Sequence, residues 1–140
     1  MQLEDQAYCQ SMHAKLNSVV SILQRAEAQL ATQALDEWQY LACERSMQIL
    51  IDAAIGIAKR AVVQLGFATP ATANKAFEML DGQGVDMTAL DWKAVIGMRN
   101  ALVHNYLEFD RDRLLTVIRE GKYRQIEAFC RALIQSRHQS

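Results

Sequence analysis

DEWQYLACERSMQILIDAAIGIAKRAVVQLG, residues 36–66, opens on an aspartate, closes on a glycine and is rich in Ala, Ile and Leu between them. Asp36 is a residue type that accepts hydrogen bonds from the free amides of a first helical turn. Gly66 supplies the backbone freedom that ends a helix. The stretch therefore predicts one long helix from Asp36 to about Leu65. It is apolar without being a membrane span. Lys59 and Arg60 interrupt it, and no other apolar run approaches the ~18 residues needed to cross a bilayer.

Four further helical segments flank this rod. The first runs from about Leu3 to Ala31, with Leu16, Val19, Val20, Leu23, Ala26 and Leu30 at the three-and-four spacing of one helix face. Thr69-Pro70 opens a short third segment, which ends at the turn signal Asp81-Gly82-Gln83-Gly84. Thr88 with Asp91 resembles a capping box and starts a fourth. Asp110 caps a fifth through Leu114, Leu115, Ile118, Ile126, Phe129 and Leu133, with Gly121 as its weak point. No segment alternates apolar and polar residues long enough to make a strand. The expected fold is all-α, an antiparallel helical bundle, with residues 1–140 forming a single domain around one core.

Composition narrows the function classes. The 140 residues are 51% hydrophobic and 22% charged, with one Pro and few Gly, which favours helix. A net charge of −1 argues against a protein that coats nucleic acid by charge alone, but leaves room for an enzyme that engages a few phosphates. Met1 to Tyr8 is polar and acidic, unlike a signal peptide. Cys9, Cys43 and Cys130 form an odd set without C-x-x-C spacing, which predicts reduced thiols and a cytoplasmic location, with Cys43 and Cys130 in packing roles. His13 and His138 share no metal-ligand spacing with His104, and there is no Gly-rich phosphate loop. Neither a metal nor a cofactor is expected. The run Asp110-Arg111-Asp112-Arg113 reads as a solvated helix start.

The fourth segment holds the anomaly. Trp92, Val95, Ile96, Leu102 and Val103 fall on one stripe, and Arg99 lies within it, seven residues after Trp92 and seven before Tyr106. An unpaired buried guanidinium costs several kcal/mol, at about the level that unfolds small domains. Either Arg99 has a carboxylate partner, or the stripe faces a cleft or a second subunit. Asn100 and His104, four apart, share the adjacent face with Lys93 and Gly97. Tyr106 near the helix end is either an aromatic packed at the bundle edge or a functional hydroxyl. On the second helix Glu44, Gln48 and Asp52 form a polar ridge beside Arg45. The ridge is either a solvent-facing strip or the partner of the fourth-segment cluster.

Arg99, then four residues, His104, one residue and Tyr106, with Asn100 directly after the arginine, resembles the signature of HEPN-domain proteins of the HepT type. The long second helix, the turn near Asp81–Gly84 and the helix after Phe109 are similar to that layout. The resemblance implies a bundle of four to five helices forming a symmetric homodimer, with two motifs facing each other across the twofold axis. It implies a metal-independent endoribonuclease, the toxin of an HEPN/MNT toxin–antitoxin system. Its partner would be an MNT-type nucleotidyltransferase antitoxin that transfers AMP from ATP onto Tyr106. The same resemblance makes Arg99 and His104 the catalytic pair, supported by Asn100 and, less directly, by Glu44, Gln48 and Asp52.

The residue types suit that chemistry. Metal-free RNA cleavage needs a proton carrier titrating near neutrality and a fixed cation on the phosphoryl oxygens, roles for His104 and Arg99. Two other classes compete: a non-catalytic helical dimer that regulates a nucleotidyltransferase, and a nucleotide-binding bundle in which Arg99 holds a phosphate.

Overall fold

The computed structural model describes residues 1–104 and 111–135. Among these residues there are six helices and no strand: α1 (Gln6–Leu30), α2 (Glu37–Gln64), α3 (Ala73–Gly82), α4 (Trp92–His104), α5 (Arg111–Arg119) and α6 (Tyr123–Ile134). The all-helical bundle is the expected architecture.

Local chemistry sets the ends of α2 as the sequence predicts. The Asp36 carboxylate accepts the Gln39 N–H at 2.8 Å, while Gln39 Oε1 accepts the Asp36 N–H at 2.9 Å. This is a full capping box. Gln39 also exchanges amide hydrogen bonds of 2.7 and 2.8 Å with Gln29, which fastens the end of α1 to the start of α2. At the other end Gly66 takes φ +101°, and the N–H groups of Gly66 and Phe67 return to the carbonyls of Val63 and Val62. These two bonds satisfy carbonyls that the helix leaves open.

Two starts differ from expectation. α3 is capped by Thr72, whose hydroxyl accepts the Lys75 N–H at 3.1 Å, and Pro70 is buried in the preceding turn. α4 is capped by Asp91, which accepts the Ala94 N–H at 3.2 Å. The Thr88 hydroxyl instead donates to Asp86 at 2.7 Å. In both places a nearer side chain captures the free amides, so the helix begins later.

The expected fifth segment is two helices. Gly121 adopts φ +69°, and the N–H groups of Gly121 and Lys122 return to Ile118 and Val117 at 3.0 Å each, closing α5 as α2 is closed. Alanine there must enter the left-handed region at about 1–2 kcal/mol. Its Cβ would also collide with the Arg124 guanidinium. Gly121→Ala should therefore lower stability by at least about 1–2 kcal/mol, read from the denaturant midpoint, while the folded far-UV spectrum stays the same.

α2 is the central rod, packed against α1, α3, α4 and α6, while α1 also meets α5 and α6. Ala54, Ala58 and Ala61 of α2 are fully buried, and their small size lets neighbouring helices approach. Leu16, Leu23, Leu50, Phe77, Leu114 and Ile134 fill the core around them. All three cysteines are buried and free. Burial pushes the Cys43 thiol up to about 11 and Cys130 up to about 12. Among the described residues no helix is long and apolar enough to cross a membrane.

Two polar ties join α1 to the last helix. Arg131 can only donate to His13 Nδ1 (3.1 Å), so Nε2–H of His13 faces the Ile134 carbonyl at 3.2 Å. This accounts for His13 as a structural residue. In the second tie, the Glu27 carboxylate accepts from Arg124 at 2.6 Å and from the buried Tyr123 hydroxyl at 2.5 Å. Those hydrogen bonds, Arg124 first, hold the Glu27 carboxyl below its ordinary range. A lowered carboxyl contributes stability above its unfolded pKa and loses it as pH falls through the folded value. Tyr123→Phe should cost about 1 kcal/mol near neutral pH. The deficit should shrink on acidification through the carboxylate range, a trend measurable by denaturation at a series of pH values.

Candidate active site

α4 presents three kinds of surface. Val95 and Met98 are buried in the core. Trp92, Ile96, Arg99 and Val103 form a half-buried flank beside them. Lys93, Asn100 and His104 are exposed on a third side. Trp92 anchors the start of the helix by stacking on Phe77, with ring centroids 6.4 Å apart and planes 24° apart. Its indole N–H is buried and has no acceptor among the described residues.

Arg99 has a carboxylate partner and is also accessible. Its Nε–H donates to Asp52 Oδ1 at 3.3 Å, and the two side chains are 38% and 47% exposed. The two alternatives posed by the sequence, an ion pair or an open face, are thus both present. Because the contact uses Nε, the two Nη amino groups of Arg99 make no hydrogen bond among the described residues. The planar fork remains able to take two oxygens of an anion.

The polar ridge of α2 divides. Among the described residues Asp52 is the ridge member that pairs with α4. Glu44 lies at the other end beside Tyr40, and burial first, then the Glu44 carboxylate, raises the Tyr40 hydroxyl. Arg111 closes that end of the bundle with a two-point clasp on Glu37, at 2.7 and 2.8 Å, and stacks over the Tyr40 ring at 4.3 Å. Gln48, between the two ends, makes no hydrogen bond among the described residues.

Asn100 and His104 are exposed and without hydrogen bonds among the described residues. His104 follows Arg99 by five residues, which places it about 140° around the helix and about 7.5 Å along it. One copy of α4 therefore directs the two side chains to different sides. Tyr106, and the expected cap Asp110, lie outside the described residues.

One cation near the motif was not evident from sequence. The nearest atom to where a side chain on Gly97 would begin is Arg113 Nη2, at 3.8 Å. Arg113, assigned from sequence to a solvated helix start, brings its guanidinium from α5 close to Gly97 of α4. The gap left by Gly97 was the visible signal, but the approach of the Arg113 side chain to it was not.

A protein-family comparison matches residues 12–133 to a family described as HepT-like ribonucleases. The chain belongs to the HepT-like ribonuclease family. The matched span runs from Met12 in α1 to Leu133 in α6, so it contains Asp52, Arg99, Asn100, His104 and Arg113. No curated protein and no solved structure matches this HepT-like chain.

Proposed function

We propose that this HepT-like chain is the toxin of an HEPN/MNT toxin–antitoxin pair, a cytoplasmic endoribonuclease that cuts cellular RNA without a metal ion. The observation that carries the reading is the Arg99–Asp52 pair. It holds a guanidinium at the surface of the motif with no Nη hydrogen bond among the described residues, on a helix that also exposes Asn100 and His104. The half-buried flank of Trp92, Ile96, Arg99 and Val103 supports a homodimer, because a second copy packed on it would cover its apolar side chains. Two motifs meeting there would bring together side chains that a single α4 directs apart.

In the reaction the ribose 2′-oxygen attacks the adjacent phosphorus. The 2′-O–P bond forms and the P–O5′ bond breaks, leaving a cyclic phosphate and a 5′-hydroxyl. His104 accepts the 2′ proton while water protonates the departing 5′-oxygen, or donates to that oxygen while water takes the 2′ proton. Arg99 neutralises charge building on the phosphoryl oxygens. The cognate MNT nucleotidyltransferase antitoxin would place AMP on Tyr106, releasing pyrophosphate and adding bulk and negative charge that compete with RNA for Arg99.

The test is cleavage of a defined RNA by purified protein in the presence of a chelator, with the product ends identified by mass. Cyclic-phosphate ends formed at full rate in chelator would support the reading. A stable dimer that leaves the RNA intact would favour a non-catalytic docking partner. Within this reading, Asp52 positions Arg99. Asp52→Asn should change stability by less than about 1 kcal/mol, since both groups are half-exposed, yet slow cleavage by about 10- to 100-fold. Thermal melts and single-turnover rates on the same preparation separate the two effects.

A further inference from the structure

Asp52 belongs to two sites at once. On one side it receives Arg99 from α4. On the other it lines an open groove of about 280 Å³ between α1 and α2, together with Tyr8, Met12, Lys15, Arg45 and Ile49. The groove therefore begins where the candidate active site ends.

The charge in this groove is uneven. Lys15 and Arg45 are exposed, and neither forms an ion pair among the described residues. With Arg99 they put three cations around a single carboxylate, on a chain whose net charge is −1. Gly56 leaves room at the groove's end for the Tyr8 hydroxyl, which lies 3.4 Å from where a side chain on Gly56 would start. Burial raises Tyr8 above its ordinary value, so the hydroxyl stays a neutral donor.

The spacing suits a strand better than a small anion. Arg45 and Asp52 are two helical turns apart, about 10 Å, while Lys15 and Arg99 come from the helices on either side. A single phosphate cannot touch all of these groups, whereas successive phosphodiesters of a flexible strand can. We propose that this groove is a track for single-stranded RNA leading to Arg99, with Lys15 and Arg45 each neutralising a backbone phosphate. The proposal rests on the ribonuclease reading above.

The experiment measures binding of a 2′-O-methylated single-stranded RNA, which cannot be cleaved by 2′-oxygen attack, across a range of salt concentrations. Removing a cation that neutralises one phosphate lowers the slope of log affinity against log salt by about 0.7. Lys15→Gln and Arg45→Gln should each lower the slope by that amount, the double variant by about twice as much, and Lys75→Gln on α3 not at all. With a cleavable RNA the double variant should raise KM and leave kcat near the parent value. A parent-like salt slope in the double variant overturns the track. So does a change in self-association or partner binding with RNA affinity intact, which would make the groove a protein interface. If the parent binds with the expected slopes but never cleaves, the track stands and the ribonuclease reading fails.

Discussion

His104→Ala is expected to lower RNA cleavage by about 10²- to 10⁴-fold, and Arg99→Ala by about 10²- to 10³-fold. Neither should unfold the protein. His104 is exposed and forms no hydrogen bond among the described residues, so its removal should change stability within about 0.5 kcal/mol. Arg99 loses only a half-exposed ion pair. Arg99→Lys should fail to restore the rate, because a point charge cannot reproduce the planar fork that engages two phosphoryl oxygens. Single-turnover cleavage in chelator, set beside a melting curve for each variant, reads the two effects independently. A variant that melts normally and cleaves at the parent rate would remove its residue from the mechanism.

Phe77→Ala should be the most damaging single change to the fold, at about 3–5 kcal/mol. The ring is fully buried, meets Phe129 of α6 edge-on at 5.7 Å and stacks on Trp92, the first residue of α4. Removing it leaves a void at the junction of α3, α4 and α6. Domains of this kind hold only about 5–15 kcal/mol in total, so much of the reserve would go. Guanidinium titration should show a lower midpoint with the slope unchanged. Cleavage should also weaken before global unfolding, because Trp92 fixes the end of the helix that carries Arg99. A destabilisation below about 1 kcal/mol would mean that the three helices do not depend on this ring.

Most of the fold was legible because it is written in local chemistry. The capping box at Asp36 and the glycine stop at Gly66 mark the ends of α2 without reference to any other element. Gly121 was harder to read. Apolar residues continue on both sides of it, from Ile118 to Ile126, because α5 and α6 bury faces of similar spacing. Only its positive φ reveals the break. The starts of α3 and α4 were displaced by competition between neighbouring side chains, Thr72 against Thr69 and Asp91 against Thr88. Sequence spacing offered Thr69 and Thr88 as the starts, while the structure shows Thr72 and Asp91 holding the free amides.

The candidate site was legible in its residue types and less so in its pairings. The ridge Glu44, Gln48, Asp52 was visible as a set, but which member meets Arg99 depends on how α4 crosses α2. The crossing selects Asp52 and leaves Glu44 beside Tyr40. Arg113 near Gly97, and Lys15 and Arg45 lining one groove, bring together side chains from two different helices. No periodicity within one helix records such a meeting.

The three buried thiols give the protein built-in clocks. Cys9, Cys43 and Cys130 sit on α1, α2 and α6, one to a helix. Only the thiolate reacts with an alkylating reagent, and burial keeps all three protonated. Labelling must therefore wait for the surrounding helix to open, and its rate times that opening. Peptide mass after a timed pulse would then show, helix by helix, whether the bundle loosens piecemeal or all at once, and whether RNA or a second copy slows any of the three.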